Sequence, residues 1–272
     1  MSIDNVPEYA SLYVWFAPEI KEHNPTLFES ITQPSDDYMS PDLEYFWERK
    51  DSLFANDFAL LKTLRSKGLN DAPYFHCFIE DDPTDLSDVD VETTLPISCY
   101  DRFFLLQSSP PLIHLAAYFN ASKCFDYLMK KGANLKSTDS YNRTLDLYCI
   151  AGSNIEAFSR IEEPNIFKCL LIATSNHRNN MVEMLQSKQS TEDNLTVFGS
   201  MLHQSCGTHN IHMTLMCIKN GADINLANSN GETPLHYTAN YGHFDLAKLL
   251  LAQKDINPNP QNNEINFCFF GV

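Results

Sequence analysis

This 272-residue chain predicts an all-α fold: a solenoid of stacked helix-turn-helix units behind a divergent helical N-terminal region. Three observations predict it. The stretch from Asn228 to Asn257 encodes two short helices joined by a glycine. Its apolar residues make a stripe that one helix pair alone cannot cover, so neighbours are required. The same pattern returns upstream at steps of 32 and 33 residues.

Within that stretch, Pro234 suits the first turn of a helix, where a missing N–H costs nothing, and Thr233 before it is a helix cap. Leu235 and Ala239 share one face, and Gly242 ends the helix because it tolerates the left-handed conformation. A second helix follows from about Phe244. Leu246, Leu249 and Leu250 stand at i, i+3 and i+4 on it. Gly231, the run Thr233-Pro234-Leu235-His236, Gly242 and Leu249-Leu250-Leu251 together resemble one unit of an ankyrin repeat.

Upstream copies decay. Ser200-Met201-Leu202-His203, with Met213, Met216, Cys217 and Gly221-Ala222-Asp223-Ile224-Asn225, lies 33 residues earlier. Leu170, Ala173, Met181, Met184 and Leu185 keep the apolar positions of another unit, with Lys168 replacing the capping Thr and His177 replacing the Gly. Asp139, Asn142, Thr144 and Ile150 mark a further start, followed by a short second helix through Ile155, Phe158 and Ile161. The next unit begins about 24 residues after it, so its hairpin is expected to be missing. Pro111 to Ala117, with Cys124, Leu128 and Gly132-Ala133-Asn134, is the earliest clear copy. Repeats are therefore expected over 106–260, with starts near 106, 139, 163, 195 and 228, and a truncated repeat or tail over 261–272.

Residues 1–72 read as a helical region or cap. Tyr9, Leu12, Tyr13 and Phe16 recur at helical spacing between Pro7 and Pro18. A polar linker spans Gln33 to Ser40, and two helices, Pro41 to Ala55 and Asp57 to Lys67, end at Gly68. Residues 73–105 read as an acidic loop and an irregular unit. Seven acids fall within the thirteen residues from Glu80 to Glu92, a density that predicts a solvated loop, and Tyr100 to Leu106 reads as a second helix.

The formal net charge is −16. Residues 1–110 hold 7 basic and 21 acidic residues, for −14, and the remainder holds 12 and 14, for −2. An acidic field disfavours nucleic acid and anionic lipid, and suits a protein partner with a basic segment. Eight cysteines include no C-x-x-C pair, and Cys149, Cys206 and Cys217 fall on packed repeat positions. With no signal peptide and no apolar run long enough to span a bilayer, the expectation is a cytoplasmic or nuclear protein in a reducing compartment. The sequons at Asn142 and Asn194 would matter only outside it.

No nucleophile elbow, phosphate-cradling loop, H-E-x-x-H helix or EF-hand spacing occurs, so no catalytic residue and no cofactor is assigned. His203, Cys206, His209 and His212 imitate the spacing of a metal site. Repeat alignment puts them in different roles, pointing different ways, and no metal is assigned either.

The resemblance is similar in style to the degenerate ankyrin families expanded in protists. It implies a scaffold that binds a protein partner through the concave side, using hairpin tips and the exposed face of each first helix. Carried over by repeat position, the contact residues are Tyr118, Phe119, Ser140, Tyr141 and Arg143, then Ser229, Asn230, Glu232, Asn240 and Tyr241. The alternative is an adaptor or substrate-recruiting subunit of an enzyme complex such as a ubiquitin ligase, with the N-terminal helices as a second contact. The Phe-rich tail from Ile265 replaces the next repeat, and either folds back or supports self-association through that end.

Overall fold

The computed structural model describes residues 16–31, 41–67, 70, 72–96, 105–187 and 194–264, with side chains at 30–31, 41–49, 67 and 194–195 outside that set. Among the described residues are fourteen α-helices and no β-strand, only two isolated bridges, Thr94 with Pro111 and Thr138 with Thr144. The chain divides into two compact units, residues 1–148 and 149–272. The helix expected over Pro7–Phe16, the Gln33–Ser40 linker, the helix expected over Tyr100–Leu106, and the tail from Ile265 lie outside the described residues, apart from Phe16, Leu105 and Leu106.

In the first unit, α1 (Ala17–His23) has Pro18 in its first turn, with Glu19 at its start and Lys21 and His23 at its end, as the helix dipole favours. Asn24 Oδ1 then accepts the Leu27 N–H at 3.1 Å as α2 (Pro25–Ile31) begins. Helix α3 (Pro41–Lys67) is broken at the expected place. Ala55 leaves helical geometry (ψ 150°), and Asn56, Asp57 and Phe58 are left-handed. The break turns Phe58 into a cluster with Leu53, Leu61, Leu64 and Ala17, with Phe28 and Phe54 against it. Arg65 grips Glu19 through two hydrogen bonds, 2.8 and 2.5 Å, and that pairing holds the Glu19 carboxyl below its ordinary range.

The acidic stretch from Glu80 to Glu92 is exposed or half-buried except at Leu86, and it is loop apart from its first residue and one short turn. It follows α4 (His76–Glu80) and holds a 3₁₀ turn over Thr84–Leu86; Leu86 is buried within it, and Phe75, Cys77, Phe78 and Leu95 are buried on either side. Leu86 anchors the segment, and three of the carboxylates work locally. Asp82 accepts from Thr84, Asp85 meets His76 at 3.0 Å and Asp90 accepts the Glu92 N–H. Asp81, left-handed at φ 50°, accepts the N–H groups of Lys123 and Cys124 at 2.8 and 3.1 Å. It therefore caps α6 (Ser122–Lys130), whose own leading residue, Ala121, has no capping side chain. Before α6 stands α5 (Leu112–Tyr118), and a hairpin through Asn142 leads to α7 (Leu145–Ala151).

The second unit continues with α8 (Ile155–Ser159), α9 (Ile166–Ser175) and α10 (Asn179–Gln186), then α11 (Asn194–Gly207), α12 (Ile211–Lys219), α13 (Pro234–Asn240) and α14 (Phe244–Leu251). Only residues 160–165 separate α8 from α9, and no hairpin forms there. Asn154, Asn165 and Asn210 cap α8, α9 and α12 through Oδ1, each accepting an N–H three residues on. His177, His209 and Gly242, after α9, α11 and α13, are left-handed at φ 55°, 57° and 69°. Each reverses the chain so that the next helix packs back on the one before. Leu170, Ala173, Met181, Leu185, Met201, Leu202, Cys206, Met213, Cys217, Leu235, Leu246 and Leu250 are buried.

Candidate protein-interaction surfaces

In the first unit the hairpin is built around Asp139, which is buried. One carboxylate oxygen accepts the N–H groups of Tyr141 and Arg143, both at 2.9 Å. The other takes Arg143 Nε at 2.7 Å and the Tyr148 hydroxyl at 2.6 Å, with the Ser108 hydroxyl at 2.7 Å. Burial alone would raise the pKa of this carboxyl, but the bonds from Tyr148, Arg143 and Ser108 outweigh it and hold the group below its ordinary range. Tyr148 is pushed well above its usual value, by burial first and by Asp139 next.

The consequence is a stiff hairpin tip. Ser140 donates through both its N–H and its hydroxyl to the Ser108 carbonyl, each at 2.9 Å. Tyr141 stands 72% exposed, with the Arg143 guanidinium 5.1 Å from its ring centre. Tyr118 and Phe119, at the end of α5, are half-buried. Their rings meet edge to face at 5.0 Å, and Phe119 is also packed against Phe75 at 5.4 Å. Phe119 is thus partly occupied by the preceding segment, unlike the open helix-face aromatic that repeat position predicts.

The last described hairpin repeats this design with Asn228 in the place of Asp139. Asn228 Oδ1 accepts the N–H groups of Asn230 and Glu232 at 2.9 and 3.0 Å, and Nδ2 reaches Glu232 Oε2 at 3.1 Å and the Tyr237 hydroxyl at 3.2 Å. Ser229 and Asn230 are exposed and Glu232 is half-buried. Asn263 closes over this tip, donating to the carbonyls of Asn230 and Ser229, both at 3.0 Å.

At the end of α13, Asn240 is exposed and Tyr241 is 62% exposed. The structure joins Tyr241 to the hairpin through Asn228 and Tyr237, whose ring centre is 6.4 Å from that of Tyr241. Tyr241 in turn stacks on His243 (6.0 Å, 17° between planes), and His243 on His209 (4.6 Å, 19°). Asp245 accepts from His209 Nε2 at 2.8 Å, and this bond, then the Leu246 N–H, lowers its carboxyl below the ordinary range. Tyr237, His243, His209 and Asp245 were not among the sequence-derived contacts. Tyr237 stands one helical turn before Tyr241, a signal the sequence did contain. The pairing of His209 with Asp245, 36 positions apart, depends on stacking between neighbouring helix pairs.

The four residues with metal-like spacing do not converge. His203 is buried, with its ring nitrogens 3.0 and 3.1 Å from the carbonyls of Gly199 and Glu232. Cys206 is buried, His209 turns to Asp245, and His212 is exposed. Among the described residues no group of three His, Cys, Asp or Glu is placed to hold a metal ion. Burial pushes the Cys124, Cys206 and Cys217 thiols up to about 12, which keeps them protonated and unreactive. No described helix is long and apolar enough to cross a membrane.

Comparison with known proteins adds three findings. A family model for ankyrin repeats, in three copies, matches residues 169–262. The Notch-regulated ankyrin repeat-containing proteins of Xenopus tropicalis and Homo sapiens are 36% identical to this chain over 74 residues, 26% of this chain and 65% of theirs. Their counterpart B in Danio rerio is 35% identical over 74 residues, 67% of its length. This chain therefore spans slightly less than two thirds of the first two relatives. Among solved structures, the human ASB11 ankyrin repeat domain aligns over 72% of this chain and 90% of its own, with 14% identity and a TM-score of 0.49, too loose a fit to carry an argument.

Proposed function

Since the chain belongs to the ankyrin-repeat proteins, we propose that it is an intracellular scaffold that binds a protein partner and performs no chemistry of its own. The observation that carries this reading is the placement of two tyrosines. Tyr141 and Tyr241 are exposed large rings that contribute little to either unit's core, yet neighbouring side chains hold each in position. Rigid exposed aromatics lose little side-chain freedom on binding and are frequent energetic anchors of interfaces.

Ankyrin repeats serve typically as interaction modules, and the buried Cys124, Cys206 and Cys217 thiols, held protonated, offer no nucleophile. The six described cysteines are all buried thiols, which suits a reducing compartment, the cytoplasm or the nucleus. The acidity of residues 1–110 favours a partner with a basic segment. An adaptor role would be favoured by exposed aromatics along α3; of the aromatics whose side chains are described there, Phe54 and Phe58 pack against Phe28.

The test is capture of partners from a lysate by the wild-type protein and by Tyr141→Ala and Tyr241→Ala variants whose melting is unchanged. A partner retained at moderate salt and lost in either variant supports the scaffold. Identical capture by all three proteins would overturn it.

A further inference from the structure

We infer that the strip Glu232–Tyr237–Tyr241–His243–His209–Asp245 on the second unit is a subsite for an arginine side chain of a basic peptide. The inference rests on the scaffold reading and names the chemistry of one of its contacts.

The strip is continuous. Glu232 and Tyr237 share the Asn228 amide, Tyr237 leads to Tyr241, and Tyr241, His243 and His209 form a near-parallel stack that ends on Asp245. Flat rings thus lie between two carboxylates. Beneath them Gly207 lets the rings approach closely, because a Cβ there would meet the Tyr237 ring at 3.0 Å and the Tyr241 ring at 3.6 Å. A planar cation matches this geometry: it stacks on an aromatic face while its N–H groups reach a carboxylate.

The first unit contains an internal example of the same chemistry. The Arg143 guanidinium lies over the Tyr141 ring while its Nε donates to Asp139. At the last hairpin the position of Arg143 is taken by Glu232, so the aromatic and acidic groups are present and the arginine is not supplied by the hairpin.

The test is calorimetric titration of the full chain with a blocked Gly-Arg-Gly-Arg-Gly peptide and with its lysine and citrulline counterparts. Citrulline keeps the planar shape without charge, and lysine keeps the charge without the plane. Expected is saturable one-to-one binding of the arginine peptide, at least about fivefold weaker with either counterpart. Tyr241→Ala should lose about tenfold, Glu232→Gln a few-fold, and Tyr141→Ala nothing. Equal binding of arginine and lysine peptides, indifference to Tyr241→Ala, or no saturable binding would each overturn the inference. A lysate partner lost by Tyr241→Ala in the absence of arginine binding would sink this inference alone and leave the scaffold standing.

Discussion

At His114 both ring nitrogens are buried without a hydrogen-bond partner, and the reason is three residues earlier. In the last repeat His236 Nδ1 lies 3.1 Å from the Thr233 N–H and 3.0 Å from its hydroxyl. At the corresponding place Pro111 offers neither group. The ring is left packed on Tyr148 at 4.7 Å, with the Ser137 backbone near but completing no bond. An unmet buried group of this kind costs about 1–3 kcal/mol. Pro111→Thr should recover about 1 kcal/mol, read as a higher urea midpoint at pH 7.5.

Burial holds the His114 imidazole down at about 4, against the opposing pull of Asp139 and Asp146, where 6.5 is usual. The folded value is depressed, so the unfolded chain binds the extra proton between those limits. Stability is therefore complete above 6.5, falls by about 3 kcal/mol as pH drops to 4, and loses nothing further from this group below that. Asp139, also lowered, adds its loss only below about 3.8. A His114→Met variant should show a much smaller fall between pH 7.5 and 4.5 in urea titrations. An unchanged fall would place the titrating group elsewhere. The sequence identified His114 as the repeat histidine, but its missing partner becomes legible only when Pro111 is aligned with Thr233.

Among the elements, helix starts and stops were largely written locally. Pro234 opens α13, Gly242 follows it with φ 69°, and α3 breaks where Ala55 and Asp57 were expected to part. What was illegible was help from a distance. Asp81 belonged, by charge density, to a solvated loop, yet it caps α6 more than forty positions later. Asp81→Ala should cost about 1 kcal/mol in urea unfolding, and Asp81→Asn, which keeps the accepting oxygen and tolerates the left-handed backbone, should cost much less. Equal losses would mean that charge, not the cap, matters.

Two glycines separate strain from contact in the same way. Gly132 and Gly231 are both left-handed (φ 92° and 76°), but a Cβ meets nothing at Gly132 and the Asn263 backbone nitrogen at 2.8 Å at Gly231. Alanine at 132 should cost about 1 kcal/mol from the backbone alone. Alanine at 231 should cost clearly more, because the hairpin tip and Asn263 would have to separate. Similar costs at both positions would count against the contact.

For the whole molecule, the repeat period carried the fold class, and composition indicated where the acidity lies. The surfaces were only partly legible. Repeat position led to Tyr141 and Tyr241, whereas the ring stack beyond Tyr241 arises from neighbouring pairs meeting in space. Phe119 was anticipated as open but rests against Phe75, since repeat position gives a residue's place on its own helix and not what an irregular preceding segment covers.

The central claim is that fixed, exposed tyrosines on ankyrin repeats recognise a protein. It is tested most directly by lysate capture at moderate salt with wild-type, Tyr141→Ala and Tyr241→Ala proteins of matched thermal stability. The account predicts a specific partner retained by the wild type and lost by at least one variant. A partner captured equally by all three would contradict it.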